Sequence, residues 1–360
     1  MIHISKRGDI SRKNAVFIKI AAILISLIVC AVIITATTGE NPLSVFKTMA
    51  AGAFGTKRKT WIFLQNTAIL LMISIAVTPA FRMRCWNLGA EGQILAGALA
   101  SAACILFLPQ TMPTAQVIII TLIASVAAGA LWAAIPAFFK SMWNTNETLF
   151  TLMMNYVAIQ LVAYYVKIWE NPKGSNSVGI INQQTQFGWL PQVYNKQLLI
   201  IIVAVVLTIA AYIYLRYSKH GYEIAVVGES ERTARYIGIN VRKVIMRTML
   251  LSGAICGLVG FLLVSGINHT ISSAIAGGQG FTAVMISWMS KFNPLIMVLS
   301  SGLLIFMDAG AGDIATYFGL NQSFGDMLTA IIIFFIIGSE FFANYRISFA
   351  RKNKEVKENV

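Results

Sequence analysis

Charged side chains are scarce in this sequence. Of its 360 residues, 28 are Lys or Arg and 14 are Asp or Glu, so charged residues make up 12% of the chain, whereas a soluble domain carries about a quarter. The hydrophobic set makes up 57%, which is more apolar side chain than the interior of a soluble fold of this size buries. The composition excludes an ordinary cytosolic domain, and it excludes a disordered chain.

The residues and motifs that build metal, disulfide and nucleotide sites are also few. The four cysteines form no C-x-x-C pair, and the three histidines lie far apart in the sequence. We therefore expect free, buried thiols, no metal site and no catalytic residues. Residues 278–283 match G-x-G-x-x-A, but no predicted strand precedes them, so close backbone packing is the better explanation. The motif G-x-x-x-x-G-K-[ST] does not occur, so the chain has no nucleotide site of this type.

Long segments without a charged residue occupy most of the chain. They cover residues 20–39, 60–81, 92–139, 148–166, 197–215, 248–290, 292–307 and 327–339. A helix needs about 20 residues to cross a 30 Å hydrocarbon layer. Pro109 and Pro113 divide the third segment, and Gly277, Gly278 and Gly280 divide the sixth. The sequence therefore predicts an all-α, polytopic membrane protein with about ten transmembrane helices.

Two of the predicted helices are shorter than a membrane span. Residues 281–290 and 294–307, with Lys291 between them, are expected to form half-length or tilted helices after the glycine-broken backbone. Irregular backbone at membrane depth is tolerated only where protein or a water-filled cavity surrounds it. We therefore expect this region in the interior of the helix bundle, with Gln279 and Phe281 beside a solute path.

The basic residues predict the orientation in the membrane. With the N-terminus inside, 21 of the 28 Lys and Arg fall on the cytoplasmic side, which is the positive-inside pattern. The excess of positive charge is explained in this way without a nucleic-acid partner. Lys57, Arg58 and Lys59 fall on the outer side, so the first hairpin is the weakest part of this topology.

This orientation divides the chain into three parts and places its two long loops. An N-terminal arm at residues 1–15 and a basic tail at residues 344–360 are cytoplasmic, and the transmembrane domain covers residues 16–343. The longest cytoplasmic loop covers residues 216–247, and the longest outer loop covers residues 168–196. The predicted location is the cell membrane, which the chain crosses many times.

A carboxylate and two amides occur together at the predicted start of a helix. Glu91 lies there between Asn87 and Gln93. The free N–H groups and the macrodipole of a helix start stabilise a carboxylate, whereas a charge at the centre of a membrane helix costs about 2.5 to 3.5 kcal/mol. Two roles remain open for this group, namely a buried structural cap and the lining of a solute path.

A second group of polar residues forms a stripe on the fifth predicted helix. Glu147, Thr151 and Asn155 follow each other at i, i+4 and i+8, so they share one helix face. Such a stripe can line a pore, or it can hydrogen-bond a neighbouring segment, as polar residues commonly do in membranes. Both alternatives remain open.

The loop at residues 216–247 carries charges of both signs and two capping signals. Ser230 can cap a short helix that ends before Gly238, and Asn240 can cap the next helix. Ile239 and its neighbours are apolar in a segment that otherwise faces water. These features favour a docking element for a cytoplasmic partner over a plain structural loop.

Several motifs occur in an order that is typical of one transporter family. They are WNLGAEGQ at residues 86–93, NETLFTLMMNY at 146–156, VGESERTARYIGINV at 227–241 followed by SGAICGLVG at 252–260, and GGQGFTAV at 277–284. Together they resemble the permease subunits of ATP-binding-cassette (ABC) importers for nucleosides and simple sugars. The nearest subgroup is the one served by lipoproteins of the basic-membrane-protein type, which typically carry nucleosides such as guanosine.

The resemblance implies that the transmembrane permease domain forms half of a translocation path. It implies a second homologous permease subunit, ABC ATPase subunits that hydrolyse the ATP, and an extracytoplasmic solute-binding lipoprotein, with no cofactor bound by this chain. The candidate path residues are Asn87, Glu91, Gln93, Glu147, Thr151, Asn155, Gln279 and Phe281. The candidate residues for coupling to the ATPase are Ser230, Glu231, Thr233, Ala234, Arg235, Gly238 and Ile239.

Two other functions compete with this one. A stand-alone, ion-coupled secondary nucleoside transporter would use a membrane carboxylate such as Glu91 or Asp308 as its coupling site. A membrane-embedded enzyme is a weaker candidate, because the sequence shows no cluster of His, Cys or carboxylates. For the importer, nucleoside and simple sugar both remain candidate solutes, and the permease pair can be made of like or unlike chains.

Overall fold

The computed structural model describes residues 2–6, 12–192, 195–319 and 321–349. In these ranges the chain consists of helices, one π-helical turn and two short strands. The elements are β1 Ile2–Lys6, α1 Arg12–Thr38, α2 Pro42–Phe54, α3 Lys57–Arg82, α4 Ala90–Phe107, α5 Thr114–Trp143, α6 Glu147–Trp169, α7 Leu198–Tyr217, α8 Lys219–Glu229, α9 Glu231–Tyr236, α10 Val241–Phe261, the π-helical turn Leu262–Asn268, α11 Gln279–Met289, α12 Pro294–Phe318, α13 Gln322–Asn344 and β2 Tyr345–Phe349.

The membrane helices agree with the prediction from the uncharged segments. Among the described residues, eight helices are long and apolar enough to span a membrane, namely α1, α3, α4, α5, α6, α7, α10 with its π-helical turn, and α12. Helix α13 contributes the shorter apolar stretch Ser323–Ser339, and α11 has 11 residues. Each of the ten predicted segments corresponds to one of these helices. The polytopic helical fold is therefore confirmed, with the antiparallel pair β1–β2 as an addition that the sequence did not predict.

One predicted short helix is wrong. The segment 294–307 was expected to form a half-length or tilted helix that ends at Met307, but α12 has 25 residues and continues through Asp308 and Asp313. The prediction ended the helix at the first carboxylate, whereas a carboxylate does not interrupt helical hydrogen bonding. Asp313 instead forms an ion pair with Lys59, and the helix stops before Gly319, which has a positive φ of 62°. The half-length helix predicted at 281–290 is confirmed as α11.

The first hairpin contains a helix that the sequence analysis missed. Helix α2 begins at Pro42, a residue that fits the first turn because its missing N–H is not needed there. The side chain of Asn41 caps it by accepting a hydrogen bond from the N–H of Leu43 at 2.9 Å. The local signals for this helix were thus present in the sequence.

The chain divides into two compact units, one formed by Trp61–Ile305 and one formed by the described residues before and after that range. In the larger unit, α4, α5 and α10 pack closely at glycines. A Cβ atom on Gly97 would lie 2.6 Å from Cα of Gly257, and one on Gly129 would lie 2.3 Å from the carbonyl oxygen of Gly253. Small residues allow this close approach of membrane helices.

The smaller unit has its own apolar core. It is formed by side chains of α1, α2, α12 and α13, and the buried members are Cys30, Ile34, Val45, Met49, Met307, Ile314, Leu328 and Ile332. Glycine again permits close packing, since a Cβ on Gly52 would lie 2.6 Å from the carbonyl oxygen of Ala309.

Large apolar side chains also face outward on several membrane helices. Helix α7 carries a set of them with at least half of their surface exposed, namely Ile202, Val205, Val206, Ile209 and Ile213. A water-soluble protein rarely exposes so continuous an apolar surface. Such an exposed apolar side fits a helix that lies in a hydrocarbon layer.

Candidate functional site

Glu91 connects two helices that are far apart in the sequence. It lies in the first turn of α4, and its carboxylate accepts hydrogen bonds from the N–H groups of Gly278, at 2.9 Å, and Gly280, at 3.0 Å. The residue is only 7% exposed. The two N–H groups belong to the start of α11, where free N–H groups and the helix macrodipole favour a negative charge. Glu91 therefore holds the start of the half-length helix against α4.

The backbone before α11 has the broken conformation that the glycines predicted. Gly277 and Gly278 have positive φ angles of 59° and 72°, in the left-handed region that glycine adopts most readily. Gly280 is required for another reason, because a Cβ there would lie 2.7 Å from the nitrogen and 2.9 Å from Oε2 of Glu91. The sequence predicted a carboxylate at a helix start, but it gave no sign that a helix 187 residues further on supplies the N–H groups.

Asn87 is the centre of a buried network of amides. Its Oδ1 accepts hydrogen bonds from the N–H of Gly89 at 3.0 Å and from Nε2 of Gln93 at 3.2 Å. Its Nδ2 donates to Oγ of Ser252 on α10 at 3.1 Å. Oε1 of Gln93 has no hydrogen-bond partner among the described residues. The network fixes the loop between α3 and α4 against α10.

The polar stripe on α6 contacts the same loop. Asn155 donates from Nδ2 to the carbonyl oxygen of Leu88 at 2.8 Å and accepts from the N–H of Gly92 at 2.9 Å. Thr151 accepts from the N–H of Leu88 at 3.1 Å. These are the contacts expected of the alternative in which the stripe hydrogen-bonds a neighbouring segment.

Glu147 begins the stripe and makes an ion pair. Its Oε2 lies 2.9 Å from Nζ of Lys140 on α5, and its Oε1 lies 3.4 Å from the backbone nitrogen of Trp86. Both charged side chains are largely buried. The stripe therefore links the last turn of α5 to the α3–α4 loop.

The predicted path residues differ in their accessibility. Five of them are buried in the network described above, namely Asn87, Glu91, Gln93, Thr151 and Asn155. Glu147 and Gln279 are partly buried, and Phe281 is exposed. Their assignment to a solute path stays a prediction, and the structure shows most of them buried in contacts between segments.

Helix α11 presents an exposed apolar face that the sequence analysis only partly recognised. Phe281, Met285 and Trp288 follow each other at i, i+4 and i+7, and all three are exposed. Trp86 of the α3–α4 loop stacks on Trp288, with ring centroids 5.2 Å apart. The helical spacing of the three residues is the signal that could have identified this face.

The stacked tryptophans border a cavity of about 550 Å³. Its wall combines aromatic rings with two arginines and one glutamate, and it includes Phe81, Arg82, Arg84, Trp86, Glu229, Trp288 and Phe292. The predicted orientation puts this cavity on the cytoplasmic side. Phe81, Trp86, Trp288 and Phe292 are thus site candidates that the sequence analysis did not include.

The predicted docking element is a pair of short helices. Ser230 separates α8 from α9, and its Oγ accepts a hydrogen bond from the N–H of Thr233 at 3.2 Å. Asn240 caps α10 by accepting from the N–H of Lys243 at 3.2 Å, and Gly238 has a φ of 85°. These caps are those predicted from the sequence, whereas α8 was not predicted.

All seven predicted coupling residues lie in α9 or in the turns beside it. Arg235 and Glu231 lie 3.4 Å apart on the exposed side of α9. Ala234 is fully buried against α8 and α10, and Ile239 packs against the same cluster. The helix is therefore anchored by one side and exposes charged groups on the other.

Helix α8 is fastened to α10 by an ion pair. Nη2 of Arg247 donates to Oε2 of Glu223 at 2.8 Å. This hydrogen bond holds the pKa of the Glu223 carboxyl below its ordinary value, although partial burial opposes the effect. The predicted docking element is thus joined to α10.

A groove of about 660 Å³ lies between α9 and the end of α5. Its lining contains side chains of both signs, among them Lys140, Glu231 and Arg235, together with Asn144 and Gly238. Lys140 also belongs to the ion pair with Glu147. Lys140 therefore connects the groove to Glu147 and, through Glu147, to the backbone of Trp86.

The chain is similar to a set of membrane transport proteins. A family model described as "Branched-chain amino acid transport system / permease component" matches residues 60–337. The guanosine ABC transporter permease protein NupP of Bacillus subtilis (strain 168) is 28% identical, over 92% of this chain and 95% of the relative. The nucleoside ABC transporter permease protein NupB of Lactococcus lactis subsp. cremoris is 24% identical, over 91% and 92%.

A third relative is named for a sugar. The glucose ABC transporter permease protein TsgB13 of Haloferax volcanii is 28% identical, over 78% of this chain and 76% of the relative. No solved structure matches the chain.

Proposed function

Because this chain belongs to the permease-component family of the branched-chain amino acid transport systems, we propose that it carries a nucleoside across the cell membrane as one of two permease subunits of an ABC importer. It is a multi-pass protein of the cell membrane with the helices that such a permease needs. Relatives named as ABC transporter permeases favour this function over a stand-alone, ion-coupled transporter.

The nucleoside is proposed from the extent of the similarity. Two relatives named for guanosine or nucleosides match more than 90% of both chains. The relative named for glucose has the same identity as the guanosine permease but matches 78% of this chain. A simple sugar is therefore the second candidate solute.

The observation that carries the proposal is a continuous set of contacts between the groove at α9 and helix α11. Lys140 lines the groove and pairs with Glu147. The stripe of α6 then holds the 86–92 loop through Thr151 and Asn155, and Glu91 holds the start of α11. A protein that docks in the groove can thus act on α11 through side chains that are already in contact.

The coupling follows from the strength of these contacts. Hydrogen bonds to a charged group contribute about 1.5 to 3 kcal/mol each, and a buried carboxylate left without its partners costs more. Separation of α11 from α4 is therefore unfavourable, so the two helix starts move together. The exposed face with Phe281, Met285 and Trp288 moves with them, and we propose that this face borders the solute.

The partners follow from the same proposal. An ABC ATPase subunit docks on α9, where the charged pair of Glu231 and Arg235 meets complementary charges, and it hydrolyses the ATP. A second homologous permease completes the path, and a solute-binding lipoprotein delivers the nucleoside on the outer side. In this proposal the chain binds no cofactor and catalyses no reaction.

Uptake into proteoliposomes tests the function. The chain is reconstituted with its ATPase, its second permease and the binding protein, and uptake of radiolabelled guanosine and glucose is measured with ATP enclosed. We expect guanosine to accumulate only with ATP, and glucose to fail as a competitor. Guanosine uptake by this chain alone, driven by a proton or sodium gradient, would contradict the proposal.

A charge reversal tests the docking element. Arg235→Glu places a like charge beside Glu231 in the groove, so we expect ATPase co-purification to fall at least about ten-fold, the factor that corresponds to 1.4 kcal/mol. Lys219→Glu is the matched control, because Lys219 begins α8 and does not line the groove. If both variants co-purify with the ATPase as well as the unchanged chain does, the assignment of α9 to ATPase docking is refuted.

A further inference from the structure

The cavity beside the stacked tryptophans has no part in the function proposed above, apart from its one shared residue, Trp288. Its volume of about 550 Å³ lies within the range of small-molecule pockets, about 300 to 1,000 Å³. The end of α3 with the α3–α4 loop, the end of α8 and the end of α11 border it. All three belong to the larger unit, and the charges predict that this end is cytoplasmic. A small cytoplasmic molecule therefore has room there.

Four aromatic rings form a connected cluster in the wall of this cavity. Trp86 and Trp288 stack on each other, and Phe81 meets both edge-on, with centroids 5.7 Å and 6.5 Å away. Phe292 meets Trp288 edge-on at 5.7 Å. Trp86 is nevertheless 43% exposed and Trp288 48% exposed. Exposed aromatic rings of this kind are platforms on which a nucleic-acid base stacks.

The charged groups in the wall favour an anion. Arg82, Arg84 and Glu229 line the cavity, which gives two positive charges and one negative charge. Among the described residues, neither arginine forms an ion pair with a carboxylate. Arg82 donates from Nη1 to the carbonyl oxygen of Leu215 at 3.0 Å, which uses one of the five N–H donors of its guanidinium group. Arginines without a carboxylate partner are the usual ligands of a phosphate group.

The backbone holds this wall in place without a ligand. The turn after α3 is closed by a hydrogen bond from the N–H of Arg84 to the carbonyl oxygen of Phe81 at 2.9 Å. Helix α8 packs directly on that turn, since a Cβ on Gly228 would lie 2.2 Å from the carbonyl oxygen of Arg82. A preformed wall lowers the entropic cost of binding.

The aromatic platform and the arginines together select the class of ligand. A phospholipid headgroup or free phosphate would use the arginines but not the rings, whereas a nucleotide uses both. We propose that this cavity binds a nucleotide, with its base stacked on the exposed indole rings and its phosphate bound by Arg82 and Arg84. Glu229 can accept hydrogen bonds from the hydroxyl groups of the ribose. The proposal rests on the lining of the cavity and does not depend on which solute the chain transports.

Equilibrium dialysis of the full chain tests the site. The chain is purified in detergent without its ATPase, so that no ATPase site contributes, and the binding of radiolabelled guanosine 5′-monophosphate is measured. Guanosine and ribose 5-phosphate are added as competitors. We expect guanosine, which lacks the phosphate, to bind at least about ten-fold more weakly than the nucleotide. Ribose 5-phosphate, which lacks the base, should bind at least about five-fold more weakly.

Two variants test the two halves of the ligand separately. Arg84→Gln should weaken binding of guanosine 5′-monophosphate at least about ten-fold, because it removes the charged donor to the phosphate. Trp288→Leu should weaken it at least about five-fold but leave the binding of ribose 5-phosphate unchanged, a difference that loss of folding would not produce. Arg232→Gln is the matched control for Arg84→Gln, because Arg232 is an exposed arginine of α9 that does not line the cavity.

The outcomes separate a nucleotide from the other sources of phosphate. Binding that needs the base, the phosphate and Arg84 supports the proposal. It is overturned if ribose 5-phosphate binds as tightly as the nucleotide, or if Arg84→Gln and Arg232→Gln bind the nucleotide equally well. It is also overturned if the nucleotide does not bind and dioleoyl phosphatidylglycerol binds in a manner that depends on Arg84. Uptake of guanosine is not measured here, so each of these results leaves the proposed transport function to its own test.

Discussion

At the scale of single residues, Glu91 has a role that an uncharged side chain could not take. Its two oxygens each accept one backbone N–H from the start of α11. An amide has only one oxygen, so its NH₂ group would face an N–H donor. A carboxylate is therefore needed for two reasons: it has an acceptor oxygen for each N–H group, and its negative charge interacts favourably with the helix macrodipole.

Glu91→Gln should therefore impair transport while the chain remains in the membrane. Loss of one hydrogen bond to a charged group costs about 1.5 to 3 kcal/mol, which predicts a reduction in uptake of at least about ten-fold. Uptake by proteoliposomes and thermal unfolding in detergent measure the two effects. Glu170→Gln is the control, because Glu170 also accepts two backbone N–H groups, those of Gly174 and Asn176, but in an exposed loop. Equal uptake by both variants would contradict the role of Glu91.

At the scale of elements, the close packing of α4, α5 and α10 sets how far these helices can move apart or together. Glycine faces glycine or a backbone carbonyl at each contact, as at Gly97 and Gly129. Packed interfaces of this kind do not deform continuously. The three helices are therefore one rigid group that carries the buried network, and the start of α11 is joined to this group through Glu91.

Gly129→Ala tests this packing. The added Cβ would lie 2.3 Å from the carbonyl oxygen of Gly253, so α5 and α10 must separate, and we expect a loss of stability of about 1 to 3 kcal/mol. Gly312→Ala on α12 is the matched control, since a Cβ there meets nothing within 4 Å and alanine favours the helix. Thermal unfolding of the two variants should shift in opposite directions. If the unfolding temperatures of both variants shifted in the same direction, the contact between Gly129 and Gly253 would not be as tight as the structure indicates.

The elements also show which parts of the molecule could be predicted from the sequence. The cap at Ser230 and the break at Gly278 were predictable because their causes are local, namely a side chain next to free N–H groups and a φ that favours glycine. The partner of Glu91 was not, because the contact joins residues 187 positions apart. The length of α12 was wrong because Asp308 was treated as a helix end, although tertiary contacts decide whether a carboxylate is accommodated.

At the scale of the whole molecule, the orientation of the chain can be measured with cysteines. The positive-inside pattern predicts that Arg58 is extracytoplasmic and that Arg232, on α9, is cytoplasmic. We expect Arg58→Cys to react with a membrane-impermeant maleimide added outside intact cells, and Arg232→Cys to react only after permeabilisation. The native Cys85 gives little background, because burial raises the pKa of its thiol to about 12. Labelling of Arg232→Cys in intact cells would show that the orientation is the reverse of the predicted one.

The stack of Trp86 on Trp288 gives the molecule a built-in optical signal. Two indole rings with centroids 5.2 Å apart and planes 29° apart are close enough for their electronic transitions to couple, so the near-ultraviolet circular dichroism depends on their separation. One ring is on the α3–α4 loop and the other is on α11. Any motion of the short helix away from that loop is therefore visible spectroscopically, without a label.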